Sequence, residues 1–89
     1  MSWRLTVAKR AQKKLARFPP RDQDRIAHAL DDMTIDPLRG DVVQLKTEPI
    51  RFRRRVGAYR IFFRLDVDGR AVNVTEIDRR TTTTYRHRR

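Results

Sequence analysis

Six arginines fall between residues 51 and 65, and no acid falls among them. Arg51, Arg53 and Arg55 occupy alternate positions, and Arg60 and Arg64 follow in the next run with Phe62 between them. A guanidinium group is a planar fork of N–H donors that pairs with phosphate oxygens two at a time. A cluster of such groups suits the grip of a nucleic-acid backbone, where affinity comes from neutralised phosphates. Other chemistries find little support. The chain has no cysteine, no zinc-ligand spacing, no Ser-His-Asp set and no glycine-rich phosphate loop, which argues against thiolate metal sites and classical hydrolase chemistry.

The overall charge points the same way. Lys and Arg number 22 against 11 acids, a net of +11, so an acidic partner is expected: nucleic acid, an anionic membrane or an acidic protein. The charge is also segregated. Residues 22–48 carry seven acids and three bases, whereas the rest carries four acids and nineteen bases. With 89 residues the chain makes one domain, 1–89, with 80–89 a candidate basic tail. Neither a signal-like apolar run nor a membrane-length segment is present, so a cytoplasmic protein is expected.

These residues need elements to position them. Trp3 to Val7 alternates apolar and polar with period two, as a strand does. Ala8, Ala11, Leu15 and Phe18 recur at helical spacing and stop before Pro19-Pro20. Pro20 suits the first turn of a second helix, with Ile26, Ala27, Leu30 and Met33 as its apolar stripe and Asp36-Pro37 as its end. Residues 38–49 read as loop, with Val43 and Leu45 candidates for a short strand. His28 falls in the second helix and reads as a surface residue. Gly57-Ala58 and Asp68-Gly69 suit two-residue hairpin turns, which places strands near 50–56, 59–66 and 71–78. The expected fold is α+β, of order β-α-α-β-β-β, with both helices on one face of an antiparallel sheet.

Two-residue turns fix register, and register decides which side chains share a face. The first turn pairs Arg55 with Arg60, Arg53 with Phe62 and Arg51 with Arg64. The second pairs Arg64 with Asn73, Phe62 with Thr75 and Arg60 with Ile77. Ile50, Phe52, Val56, Tyr59, Ile61, Phe63, Leu65, Val72 and Val74 then line the helix side, and Tyr59 reads as packing. The other side carries Arg51, Arg53, Arg55, Arg60, Arg64 and Phe62, with Arg79 added by alternation. Like charges directly opposite destabilise a hairpin, so strict alternation of arginines across several strands favours binding over a merely solvated face. Arg54 falls on the apolar side. Either Glu76 pairs with it there or a bulge turns it outward.

The stretch Phe52-Arg53-Arg54-Arg55-Val56-Gly57-Ala58-Tyr59-Arg60-Ile61, after a strand, two helices and Asp-Pro, resembles the RelE/ParE superfamily of bacterial toxins. Arg79-Arg80 and Tyr85-Arg86 resemble the basic pair and C-terminal tyrosine that follow in that family, so the likeness spans almost the whole chain. The RelE branch implies an mRNA endonuclease acting in the ribosomal A site without a metal or other cofactor, neutralised by a cognate antitoxin. Residue by residue, it implies catalytic roles for Arg53, Arg55, Arg60, Arg79 (or its neighbour Arg80) and Tyr85. Arg51, Arg64, Phe62, Arg80 and Arg86 would contact RNA. Where the family often has Lys, this chain has Arg53 and Arg55.

The implied chemistry is attack of an RNA 2′-OH on the adjacent phosphate. Arginines would neutralise the developing charge. A tyrosine ordinarily titrates near 10, and a field of arginines would lower that value and make Tyr85 a better base. His87 is the alternative proton-transfer group. Two further functions stay open: a ParE-like inhibitor of DNA gyrase, and a non-catalytic nucleic-acid-binding module.

Overall fold

The computed structural model describes residues 2–48 and 50–79. The elements run β1 (Arg4–Val7), α1 (Lys9–Leu15), α2 (Pro20–Ile35), β2 (Val42–Gln44), β3 (Arg51–Val56), β4 (Tyr59–Asp66) and β5 (Ala71–Arg79). The α+β class and the element order agree with expectation, with β2 supplying the short extra strand. The sheet is mixed rather than wholly antiparallel. Its order is β1-β5-β4-β3-β2, and β1 lies parallel to β5, with Leu5 beside Val72 and Val7 beside Val74. A parallel pairing between the two ends of the chain leaves no local sequence signal, because no turn joins the strands.

Helix α2 begins at Pro20, whose fixed φ suits a first turn and whose missing N–H costs nothing there. Asp22 lies in that first turn, where the helix dipole favours a negative charge. The buried stripe is Ile26, Ala29 and Met33, with Leu30 half-buried. Ala27, expected on that stripe, faces outward, and Ala29 takes its place in the core. The core joins these residues and Ala11 to Tyr59, Ile61, Phe63, Leu65, Val72, Val74 and Ile77 from the sheet. Trp3, Phe52 and Val56 pack at its margin, whereas Ile50 is 54% exposed and lies outside it. His28 is on the surface as expected. No helix among the described residues is long and apolar enough to cross a membrane.

The first hairpin has the expected register throughout, from Val56↔Tyr59 to Arg51↔Arg64. Gly57 takes φ +58°, which an L side chain rarely adopts. The second hairpin differs. Its strands are joined by Val67 to Arg70, four residues rather than two, with Asp66 opposite Ala71 and Arg70 at φ 50°. This still gives Arg64↔Asn73 and Phe63↔Val74. Beyond them the ladder slips by one at a bulge, so Phe62 meets Glu76 rather than Thr75, and Arg60 meets Asp78 rather than Ile77. An extra residue in a strand reverses every face assignment after it.

Candidate nucleic-acid interface

Three rows of side chains cross the open sheet face, about 6.8 Å apart along the strands. In the middle row Val43, Arg53, Phe62 and Glu76 lie side by side on β2, β3, β4 and β5. One outer row is Arg55, Arg60 and Asp78, and the other is Arg51, Arg64 and Asn73. The five arginines and Phe62 expected on one face are therefore brought together. The Phe62 ring has Arg51 and Arg60 beside it, with guanidinium carbons 5.5 and 5.9 Å from its centroid. A cation over an aromatic face is attracted by the ring quadrupole.

Acids neutralise several of these arginines, and sequence reading placed none of them there. Glu48 accepts hydrogen bonds from Arg64 Nη2 at 2.8 Å and Arg51 Nη1 at 3.4 Å. Glu76 lies 3.8 Å from Arg51, and Asp41 lies 3.6 Å from Arg55 Nε. Only Glu48 left a local trace, three residues before Arg51; the other partners come from distant segments. Asp78 bonds Lys14 and sits opposite Arg60. The hydrogen bond from Lys14 is the main cause holding the Asp78 carboxyl below its ordinary value, with Arg60 adding to it. Arg53 and Arg60 differ from their neighbours: among the described residues neither has an ion pair. The Nε of each is buried without a hydrogen-bond partner, a feature they share with Arg51 and Arg54. A buried donor without a partner is costly, and an incoming phosphate oxygen could satisfy it.

Three side chains depart from the expected faces. Arg79, expected among the other arginines, pairs with Tyr59, and its guanidinium lies 5.9 Å from the Tyr59 ring on the helix side. Glu76 lies on the arginine face instead of the apolar one, and buried Ile77 takes the core position. The bulge between Phe63 and Phe62 causes all three shifts. Arg54 stays on the helix side, and neither expected solution applies. It donates to the Arg39 carbonyl at 2.7 Å, approaches Asp32 at 4.0 Å and lies against Gly40.

Tyr59 is a core residue, as expected. Its ring packs 4.5 Å from Phe18, and its hydroxyl donates to Asp22 at 2.6 Å. Burial and that bond to a carboxylate raise its pKa, against the opposing charge of Arg79. Tyr85, His87, Arg80 and Arg86 lie outside the described residues.

The chain matches no protein-family model and no curated protein sequence. Solved structures do match. RelE in the RelE–RelB complex from Pyrococcus horikoshii superposes with TM-score 0.82 at 21% identity, over 92% of this chain and 99% of that one. The RelBE2 toxin–antitoxin complex from Mycobacterium tuberculosis gives 0.80 at 26% identity, over 90% and 100%. The isolated E. coli RelE toxin gives 0.80 at 14% identity, over 98% and 95%.

Proposed function

We propose that this chain, which has the fold of the RelE toxins, is the toxin of a toxin–antitoxin pair and cuts messenger RNA in the ribosomal A site. The observation that carries the reading is the pair of guanidinium groups without an ion pair among the described residues, Arg53 and Arg60, beside Phe62 on the open sheet face. The matched complexes with RelB support a cognate antitoxin as partner, and a ribosomal substrate implies a cytoplasmic protein.

In this mechanism the 2′ oxygen forms a bond to the neighbouring phosphorus while the bond to the 5′ oxygen breaks. Arg53 and Arg60 neutralise the charge that develops on the phosphate oxygens, with Arg55 beside them. Phe62 stacks a base and steadies the strand. Tyr85 takes the 2′ proton or supplies one to the leaving 5′ oxygen, with His87 as the alternative. The role that the resemblance gives to the end of the last strand passes from Arg79, which lies over Tyr59, to Arg80. Arg86 adds a backbone contact.

Single-turnover cleavage of ribosome-bound mRNA, paired with a binding measurement, tests this reading. Arg60→Ala weakens binding and slows cleavage, because a phosphate-contacting cation serves ground and transition states alike. Tyr85→Phe leaves binding intact and lowers the cleavage rate by about 10²–10⁴. If that variant cleaves like the unmodified chain, the same test moves to His87→Ala. If the unmodified chain cuts no mRNA with or without ribosomes, the endonuclease reading fails.

A further inference from the structure

We infer that Glu48 sets the footprint of this face: it holds Arg51 and Arg64 away from RNA and confines phosphate binding to the Arg53–Arg60 centre. This rests on the reading of the sheet face as an RNA-binding surface. Five arginines share the face; Arg55 pairs with Asp41, and the other four fall into two groups. Arg51 and Arg64 stand opposite each other, and one carboxylate of Glu48 bonds both. Arg51 has Glu76 within 3.8 Å as a second acid. Arg53 and Arg60 have no ion pair among the described residues, and it is this that separates the groups, since the buried Nε atoms of Arg53, Arg60 and Arg51 all have no hydrogen-bond partner. A phosphate reaching Arg51 or Arg64 must displace Glu48, whereas one reaching Arg53 or Arg60 displaces no carboxylate in ion-pair range among the described residues. Glu48 thus selects which arginines an RNA strand meets first, and it acts through them as a positioning residue. It lies in the segment between β2 and β3, outside the sheet, and its side chain is 39% exposed. Its replacement therefore leaves the core untouched.

Salt dependence reads this footprint directly. For single strands, log K falls against log salt with a slope of about 0.7 per phosphate neutralised. The probe is a short 2′-O-methyl oligoribonucleotide, which lacks the attacking hydroxyl and so reports binding alone. Three full-length chains are compared: unmodified, Glu48→Gln and Asp68→Asn. The last raises net charge by the same single unit at an exposed turn position. The expected result is a slope steeper by about 0.7 for each guanidinium released, up to about 1.4, for Glu48→Gln and an unchanged slope for Asp68→Asn. A purely structural role for Glu48 would move thermal stability and leave the slope alone. An unchanged slope in Glu48→Gln, an equal steepening in both variants, or no binding by the unmodified chain at low salt would each overturn the inference. Cleavage separates it from the proposed function. Loss of cleavage with the slope difference intact removes the endonuclease reading only, and intact cleavage with no slope difference removes the role of Glu48 only.

Discussion

The two hairpins that share β4 are built differently. Between β3 and β4 the turn is two residues, Gly57 supplies the positive φ, and opposite residues keep register to the end. Between β4 and β5 the turn is four residues, a non-glycine residue carries the positive φ, and the ladder slips at Phe62/Phe63. The regular hairpin keeps its arginines on the open face. The bulged one puts Val74 and Ile77, three residues apart, into the same core, and Thr75 bonds the Phe62 carbonyl within the irregular stretch. A regular ladder repeats a pattern, whereas a bulge lets one strand serve both faces with an odd spacing. The arginine face depends on the first device, and the core beneath it depends on the second.

The largest test of this contrast is Ile77→Ala. Ile77 is fully buried, and removing three carbons from such a site costs about 2–5 kcal/mol. For a domain of this size each kcal/mol lowers Tm by about 4–8 °C. A melting curve that barely moves would mean that the bulge does not bring Ile77 into the core. Arg79→Ala, two positions on, should cost far less, because it removes an exposed cation 5.9 Å from the Tyr59 ring centroid rather than a core side chain.

The same contrast explains what could be read from residues alone. Gly57-Ala58 declares its turn locally, so register, the arginine rows and the positions of Phe62 and Tyr59 all followed. The bulge carries no glycine or proline to announce it. Alternation beyond Thr75 therefore ran out of step and exchanged the places of Glu76, Ile77 and Arg79. Asp68-Gly69 gave the right pairs near the turn because a four-residue connection with Asp66 opposite Ala71 keeps the same register. The acid partners of the arginines were not placed from sequence. Glu48 is near Arg51 in sequence, but Asp41 reaches Arg55 across the β2–β3 pairing, and Glu76 arrives through the bulge. Arg54 likewise finds the Arg39 carbonyl from a loop whose path depends on Gly40 at φ 94°. The expected roles of Tyr85 and His87 concern residues outside those described.

Next in size is Tyr59→Phe, at the end of β4 where the two hairpins meet. The substitution keeps the ring against Phe18 and removes the hydroxyl that bonds Asp22. A hydrogen bond to a charged group contributes about 1.5–3 kcal/mol. Because the Tyr59 pKa is raised by burial and by that bond, the neutral phenol is the form that the fold favours. Its contribution is complete below the ordinary value of 10.0 and falls away as pH rises toward the higher folded value. The stability gap between the unmodified chain and Tyr59→Phe should therefore be flat at neutral pH and shrink in alkali. A gap that grows above pH 10 would contradict this assignment.

The turns themselves give a smaller, paired test. In Gly57→Ala the new Cβ would lie 2.8 Å from Arg25 Nη1, the far end of a flexible side chain that can swing away. What remains is the cost of a left-handed backbone with a side chain, about 1–2 kcal/mol. Arg70 already bears that conformation at φ 50°. Arg70→Gly relieves it but loses the cation 4.9 Å from the Trp3 ring centroid, so its net change should be close to zero. Chemical denaturation of the two variants compares them directly, and a loss in Arg70→Gly matching that of Gly57→Ala would show that backbone strain does not distinguish the turns.

The smallest effect concerns the end of the bulged strand, where Asp78 bonds Lys14 from α1. Asp78 is mostly shielded and Lys14 is about half exposed, and pairs of this kind contribute about 0–1 kcal/mol. The direction with pH is nevertheless distinctive. The Lys14 bond, helped by the nearby Arg60 charge, lowers the Asp78 pKa beneath its ordinary 3.8. A carboxylate with a depressed folded pKa stabilises above the unfolded value and loses that contribution as pH falls through the folded one. In Asp78→Asn the deficit should thus be present at neutral pH, persist to about pH 4, and close as acid protonates the carboxylate in the unmodified chain. Urea midpoints of both chains, followed from neutral to strongly acidic buffer, measure it. Raising the salt should also narrow the neutral-pH deficit, since an exposed lysine is screened. A deficit that stays constant through acid would mean that Asp78 works through packing or neutral hydrogen bonding, and the charge link between α1 and the far end of β5 would be withdrawn.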